Sequence, residues 1–203
     1  MKKKNTIKFL NQEENQDLFE KISCDTTRHA CRNKAIFQIA EYCALRASEI
    51  GLLRLDNYNA NTHSIYCQRL KNGSNNTLLI CDANLIVTMD EYIKHRNEMH
   101  ITSEFLFPSA KGSPISRQRL DELIKEYGTK AGIPPEKQHF HVLRHTRAIE
   151  LGETGFDLKE IQYWLGHKRI ENTMIYLQFT TRQHQIMYQK LKSKGDYEHE
   201  SIY

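Results

Sequence analysis

A mainly helical α+β fold with one small antiparallel β-sheet is what this sequence predicts, on three observations. Most of the chain repeats its apolar residues at the three- and four-residue spacing of a helix with one buried face. Residues 64 to 80 alone change to short β-type runs around an Asn-Gly turn signal. Proline and glycine gather at Pro108, Gly112-Ser113-Pro114 and Gly132-Ile133-Pro134-Pro135, where they separate helices rather than interrupt them.

Residues 1 to about 10 read as a flexible basic lead-in. Asn11-Gln12-Glu13-Glu14 has the form of an N-cap with a glutamate at the third helical position, which opens a helix to about Ile22. A second helix is expected from Arg28 to about Ala44, with Cys31, Ala35, Ile39 and Cys43 on its apolar face. After a break at Leu45-Arg46, Ala47 to Leu53 reads as a third, with Ile50 and Leu53 inward. Ser64 to Gln68 and Thr77 to Ile80 then form a hairpin around Asn72-Gly73, with Lys71 at its tip. Helical patterns resume at roughly 83–98, 116–131, 141–154, 157–165, 170–178 and 182–193, and a polar, disordered tail is expected over 195–203. One domain over 11–194 accounts for all of these elements.

Bulk properties narrow the class. At 203 residues the chain is long enough for one substantial core and short for two full domains. No run approaches the roughly 18 apolar residues of a membrane span, so no membrane partner is expected. Five cysteines without a CxxC pair or a secretory signal point to reduced thiols and a cytoplasmic setting. Net charge is only +4, but from Lys111 to Arg147 eight Lys or Arg stand against four Asp or Glu. Asn61 to Leu79 holds Arg69 and Lys71 and no acidic residue. Positive charge gathered on two segments suits a phosphate backbone, and Arg69, Lys111, Arg117 and Arg119 are the expected DNA contacts.

The chemistry-bearing residues are scattered along the chain. Arg46 stands at a helix entrance with Glu49 three positions on, which by itself reads more readily as an ordinary surface ion pair than as a phosphate site. His141 and Arg144 share a helix face at i, i+3, while His145 and Arg147 are expected to point elsewhere, as surface groups or as supports behind the reacting residues. His139, His141 and His145 raise the thought of zinc, but there is no HExxH motif and no cysteine nearby, so no metal is expected. Trp164-Leu165-Gly166-His167 reads as a helix stopped by glycine, with an imidazole at the boundary. Tyr176 lies nine residues beyond His167 in the apolar run Met174-Ile175-Tyr176-Leu177. Two guanidinium forks, two imidazoles and a phenol form the kit for breaking a phosphodiester without a metal or other cofactor.

Over about residues 8 to 193 the chain resembles the tyrosine recombinase (phage integrase) family. The resemblance rests on Leu45-Arg46-Ala47-Ser48-Glu49-Ile50, the lysine of Arg69-Leu70-Lys71-Asn72-Gly73, His141-Val142-Leu143-Arg144-His145, and Leu165-Gly166-His167 followed by Tyr176. It implies a catalytic domain over 11–194 in which Arg46 and Arg144 clamp the scissile phosphate and Tyr176 is the nucleophile. It further implies that His141 assists proton transfer, Lys71 protonates the departing 5′-oxygen, His167 hydrogen-bonds the phosphate, and Glu49 orients its neighbours. Small size, the Arg69–Gly73 segment and Ile115-Ser116-Arg117-Gln118 look most like the short recombinases that invert fimbrial promoter elements. With only about 27 residues before the second helix, the separate N-terminal core-binding domain of larger members is expected to be missing and encirclement of DNA to be incomplete. DNA-bending proteins or a further chain would then help to hold the synapse. The family also implies a homotetramer on two specific DNA sites, with residues 182–193 docking into a neighbouring protomer.

Two alternatives remain at this point. A type IB topoisomerase shares phosphotyrosine chemistry but rejoins the original strand. A non-catalytic DNA-binding regulator would use Leu158 to Leu177 as a helix-turn-helix, but has no need of Arg46, Lys71, His141 and Arg144 in that order.

Overall fold

The computed structural model describes residues 7–177 and Gln189. The expected helix at 182–193, apart from Gln189, and the tail at 195–203 lie outside the described residues. Eight helices are described: α1 Gln12–Ser23, α2 Ala30–Tyr42, α3 Ala47–Leu52, α4 Ala83–Glu98, α5 Arg117–Lys130, α6 His141–Glu153, α7 Leu158–Leu165 and α8 Glu171–Leu177. Between α3 and α4 lies an antiparallel sheet of β1 Tyr58–Asn59, β2 Ser64–Cys67 and β3 Asn76–Leu79, in that spatial order.

Local chemistry sets the helix ends. Asn11 accepts from the Glu14 amide and Glu14 returns a bond to the Asn11 amide, which is the expected box. Asp82 and Ser116 cap α4 and α5 through the Leu85 and Arg119 amides. Asp157 caps α7, and Gly166 ends it in the left-handed region at φ 62°. α2 ends less comfortably. Ala44 carries a φ of 51°, which costs a non-glycine residue on the order of 1 kcal/mol, and Leu45 donates back to the Ala40 carbonyl.

The main core gathers around α2, whose Ile36, Phe37, Ile39 and Ala40 are fully buried. Phe37 meets Tyr127 of α5 and Phe140 edge-on, each ring pair at 5.5 Å. A second cluster joins Ala44, Ala148, Ile149, Leu151, Ile161, Leu165 and Tyr176, so the C-terminal helices pack around the tyrosine and the end of α2.

Three expectations are corrected. Residues 7–10 do not lead in loosely: Leu10 is buried and donates its amide to Thr146 Oγ1 at 2.9 Å, and Ile7 and Phe9 pack on the second cluster. Short apolar residues just before a capping Asn can dock as well as fray. The sheet gains β1, whose Tyr58 pairs with Ile65; two residues are too few to show a period of two. The tight turn sits one residue earlier than the Asn-Gly signal. Lys71 and Asn72 occupy its centre at φ 56° and 59°, and Gly73 donates to the Leu70 carbonyl.

Thr146 Oγ1 serves both the Leu10 amide and the Val142 carbonyl. Thr146→Val should therefore lower unfolding free energy by about 1–2 kcal/mol, since it leaves a buried amide unpaired. Urea titration measures the loss, and faster proteolysis ahead of Asn11 identifies the segment released.

Candidate active site

The site begins where α2 gives way to α3. Arg46 is the residue before α3, and Glu49 lies in the first turn. Glu49 bonds the Arg46 amide at 3.0 Å and its guanidinium at 2.6 Å. The same carboxylate accepts the Leu70 amide at 3.1 Å, which ties the base of the lysine loop to Arg46. Burial favours the neutral acid at Glu49, but the Arg46 and Leu70 amides and the cations of Arg46 and Arg144 outweigh it, so its pKa falls below the ordinary 4.5. The pairing expected as a surface ion pair is in fact a buried carboxylate holding a half-buried arginine.

Arg144 is wholly buried, and its two terminal nitrogens donate to the Ala44 carbonyl at 2.6 Å and the Leu165 carbonyl at 2.8 Å. Arg69, expected to contact DNA, is placed elsewhere. Its side chain is fully buried and donates to Asn76 Oδ1, the Cys43 carbonyl and the Trp164 carbonyl, with Glu49 at 3.5 Å. A strand-end arginine in a basic stretch reads as a phosphate contact, yet these partners consume the fork inside the protein. Room for it comes from glycine: a Cβ at Gly166 would lie 2.6 Å from Arg69 Cγ, and one at Gly73 would lie 2.7 Å from Arg69 Cβ. Ser74 also donates its amide to the Gly166 carbonyl, so hairpin and His167 segment are joined.

Four aromatic side chains close the site. His167 is buried, with Nδ1 against Thr173 Oγ1 at 2.9 Å. Burial first, then the charges of Arg144, Arg46 and Arg69, push its pKa down to about 3. Tyr176 is only 2% exposed. Burial raises its pKa, and Arg144 and Arg46 pull against that rise. His145, expected on the surface or behind the reacting residues, is not on the surface: it meets Tyr176 Oη through Nδ1 at 2.9 Å and stacks edge-on to His141 with ring centres 4.5 Å apart. Its i, i+4 relation to His141 was the signal available in the sequence. His141 keeps an exposed face, yet partial burial and then the His145, Arg144 and Arg46 charges lower its pKa.

An open pocket of about 530 Å³ runs past this cluster, lined by Arg46, Lys71, Arg117, His139 and His141 among others. The structure therefore brings Lys71 to the same cavity as Arg46 and His141. Arg117 is well exposed beside it, with Asp121 at 3.5 Å. Arg119 is bound to Glu122 and Glu126 of its own helix at 3.1 and 2.9 Å, which leaves it a poorer phosphate contact than the sequence implied. Lys111 is exposed on the turn between Pro108 and Pro114. Among the described residues no group of three or more His, Cys, Asp or Glu is arranged to hold a metal, and no helix is long and apolar enough to cross a membrane.

Two arginines, two imidazoles and a tyrosine drawn from the α2–α3 junction, α6, the α7–α8 link and α8 thus converge beside a lysine loop. The family model described as the phage integrase family matches residues 8–183. The chain belongs to the phage integrase family. It is 33% identical to the type 1 fimbriae regulatory protein FimB of Escherichia coli (strain K12) over 168 residues, covering 83% of this chain and 82% of that one. It is 29% identical to tyrosine recombinase XerD of Proteus mirabilis over 167 residues, covering 81% of this chain and 53% of XerD. Among solved structures, XerA recombinase superimposes with a TM-score of 0.75 at 26% identity, over 90% of this chain and 64% of XerA. The catalytic domain of bacteriophage HP1 integrase, 22% identical, shares the fold with a TM-score of 0.65 over 87% of this chain and 90% of that one. This phage integrase family member is a site-specific tyrosine recombinase, an enzyme that breaks and rejoins DNA strands.

The depressed imidazoles carry a pH signature. Above the ordinary 6.5 they are neutral folded or unfolded; below it the unfolded chain takes up protons that folded His167 refuses. Stability of the recombinase should accordingly decline as pH falls from 6.5 toward 3. Urea midpoints taken from pH 7.5 to 5 measure the slope, and His167→Gln should flatten it.

Proposed function

We propose that the recombinase cuts DNA by in-line attack of Tyr176 on a backbone phosphorus held by Arg46 and Arg144. The Tyr176 oxygen bonds to phosphorus, the P–O5′ bond breaks, and Lys71 protonates the departing 5′-oxygen. The product is a 3′-phosphotyrosyl enzyme and a free 5′-hydroxyl. A 5′-hydroxyl of the partner duplex then attacks the phosphotyrosine and joins new strands. The reading is carried by the excess of cationic donors around the tyrosine. Arg144 spends two of its five N–H groups on carbonyls, and because it is wholly buried its other N–H groups would meet a phosphate only once DNA binding opens the site. Preorganised donors of this kind stabilise developing phosphoryl charge, which is most of what phosphoryl transfer asks of a protein. Bond energy is kept in the covalent intermediate, so neither ATP nor a divalent ion enters these steps.

Arg117 and Lys111 are proposed to contact DNA phosphates outside the reacting centre. FimB is named a fimbrial regulatory protein, and for this chain DNA inversion in the cytoplasm is the corresponding proposal. Assembly is proposed as a homotetramer through residues 182–193, with bending proteins assisting the synapse. An apolar groove of about 500 Å³ between Leu79, Phe156, Tyr163 and Trp164 supports such docking, since Leu79 and Tyr163 are each 57% exposed.

Tyr176→Phe should abolish covalent protein–DNA adducts on a nicked suicide duplex while gel-shift binding stays within about twofold; persistent adducts would remove Tyr176 from its role. Lys71→Ala should slow cleavage of ordinary DNA by about 10²–10⁴-fold and recover on a 5′-bridging phosphorothiolate, whose leaving group needs no proton. Failure to recover would place Lys71 elsewhere in the reaction. Relaxation of supercoiled plasmid lacking any recombination site, with no recombinants, would point to topoisomerase action instead.

A further inference from the structure

A phenol is a poor nucleophile until it loses its proton; the family resemblance gives help with proton transfer to His141, yet among the described residues His141 makes no hydrogen bond to Tyr176. The phosphate-holding arginines cannot take it, because guanidinium groups have no acceptor. Lys71 is needed as an acid on the far side of phosphorus. The group in place is His145. Its Nδ1 stands 2.9 Å from Tyr176 Oη, the hydrogen bond that hydroxyl makes among the described residues. The side chain is half-buried, and the two rings lie 5.7 Å apart at 50°, so the contact is fixed by packing rather than by a flexible reach.

The groups facing His145 explain how it can act. His141 and Arg144 lie on its own helix, His139 on the turn before it, His167 on the α7–α8 link, and Tyr176 on α8. Burial first, then His139 and Arg144, push the imidazole down to about 4, so it is neutral at physiological pH and holds a lone pair. In the free protein that lone pair is weakly basic because cations surround it. A phosphodiester entering between Arg46 and Arg144 brings one negative charge and raises the basicity of the ring. The base would thus strengthen only when substrate is present.

We propose that His145 is the general base of the cleavage step, accepting the Tyr176 hydroxyl proton on Nδ1 as Oη bonds to phosphorus. The O–H pair stays on Oη and forms the new O–P bond, the P–O5′ pair leaves with the 5′-oxygen, and Lys71 supplies that oxygen with its proton. In rejoining, the 5′-hydroxyl attacks, Oη departs, and the imidazolium of His145 returns the proton to it. His145 is then a catalytic residue, and His141 faces the phosphate beside it. This inference rests on Tyr176 being the nucleophile.

Single-turnover adduct formation on the nicked suicide duplex, followed from pH 6 to 9, tests it. Adducts from the wild type and none from Tyr176→Phe establish the nucleophile; the reverse removes the ground on which this inference stands. With that established, His145→Ala should bind DNA within about twofold of wild type but form adducts about 10²–10⁴-fold more slowly. Its deficit should shrink as pH rises and hydroxide replaces the missing base. His145→Asn keeps an acceptor near the Nδ1 position but cannot take the proton, and it should be as slow as the alanine variant. It also serves if the alanine variant fails to fold. Wild-type rates in either variant, recovery with asparagine, or a deficit equal at every pH would each overturn the assignment.

Discussion

Two buried guanidinium groups decide the shape of this site. Arg69 and Arg144 come from different parts of the chain, yet both donate to the carbonyl ends of the same two helices. Arg69 reaches Cys43 and Trp164, and Arg144 reaches Ala44 and Leu165. The last carbonyls of a helix have no partner within it and carry its negative dipole end, so cations placed there satisfy hydrogen bonds and charge together. α2 and α7 are thereby locked end to end, and what leaves each helix is fixed in place: Arg46 after α2, His167 after α7. The left-handed Ala44 belongs to the same arrangement, because it turns its carbonyl toward Arg144.

The same arrangement leaves the site short of negative charge. Arg46, Arg69 and Arg144 face a single buried carboxylate, Glu49, and two helix ends worth on the order of half a charge each. A surplus of about one positive charge remains, which a phosphodiester would cancel. Arg144 reports the strain, its pKa lowered by burial and then by Arg46 and Arg69. His167 and His145 report it as well, since both are kept neutral. A protein that only needed stability would have little reason to bury this many cations around one carboxylate. The cost is understandable where an anion is to be held.

Elements with strong local chemistry were readable from the chain. The Asn11–Glu14 box and the Gly166 stop fall where the sequence placed them, because each depends on residues within a turn of one another. The site residues were legible through their order along the chain, which is a family property rather than a physical deduction. What escaped was decided at long range. Arg69 and Lys71 sit two residues apart in the same basic stretch, and only the fold shows that the first is buried and the second exposed. Nothing near Leu10 announces that Thr146 will receive its amide. Which group His145 would meet was equally hidden, because Tyr176 lies on another helix, 31 residues away.

Lys71 shows what that division of labour achieves. The residues on either side of it are fastened, Leu70 to Glu49 by its amide and Gly73 against the Arg69 stem and Gly166, while the lysine itself stands in solvent. It behaves as a reagent on a short stalk: the root is rigid, and the four-carbon chain is left to search. Duplex DNA entering the pocket would meet an ammonium whose range of positions is already narrowed to a small arc, yet whose water shell need not be stripped until the strand arrives. Folding would then have met the backbone part of the ordering cost of the proposed acid once, which leaves only the side chain's share to each turnover.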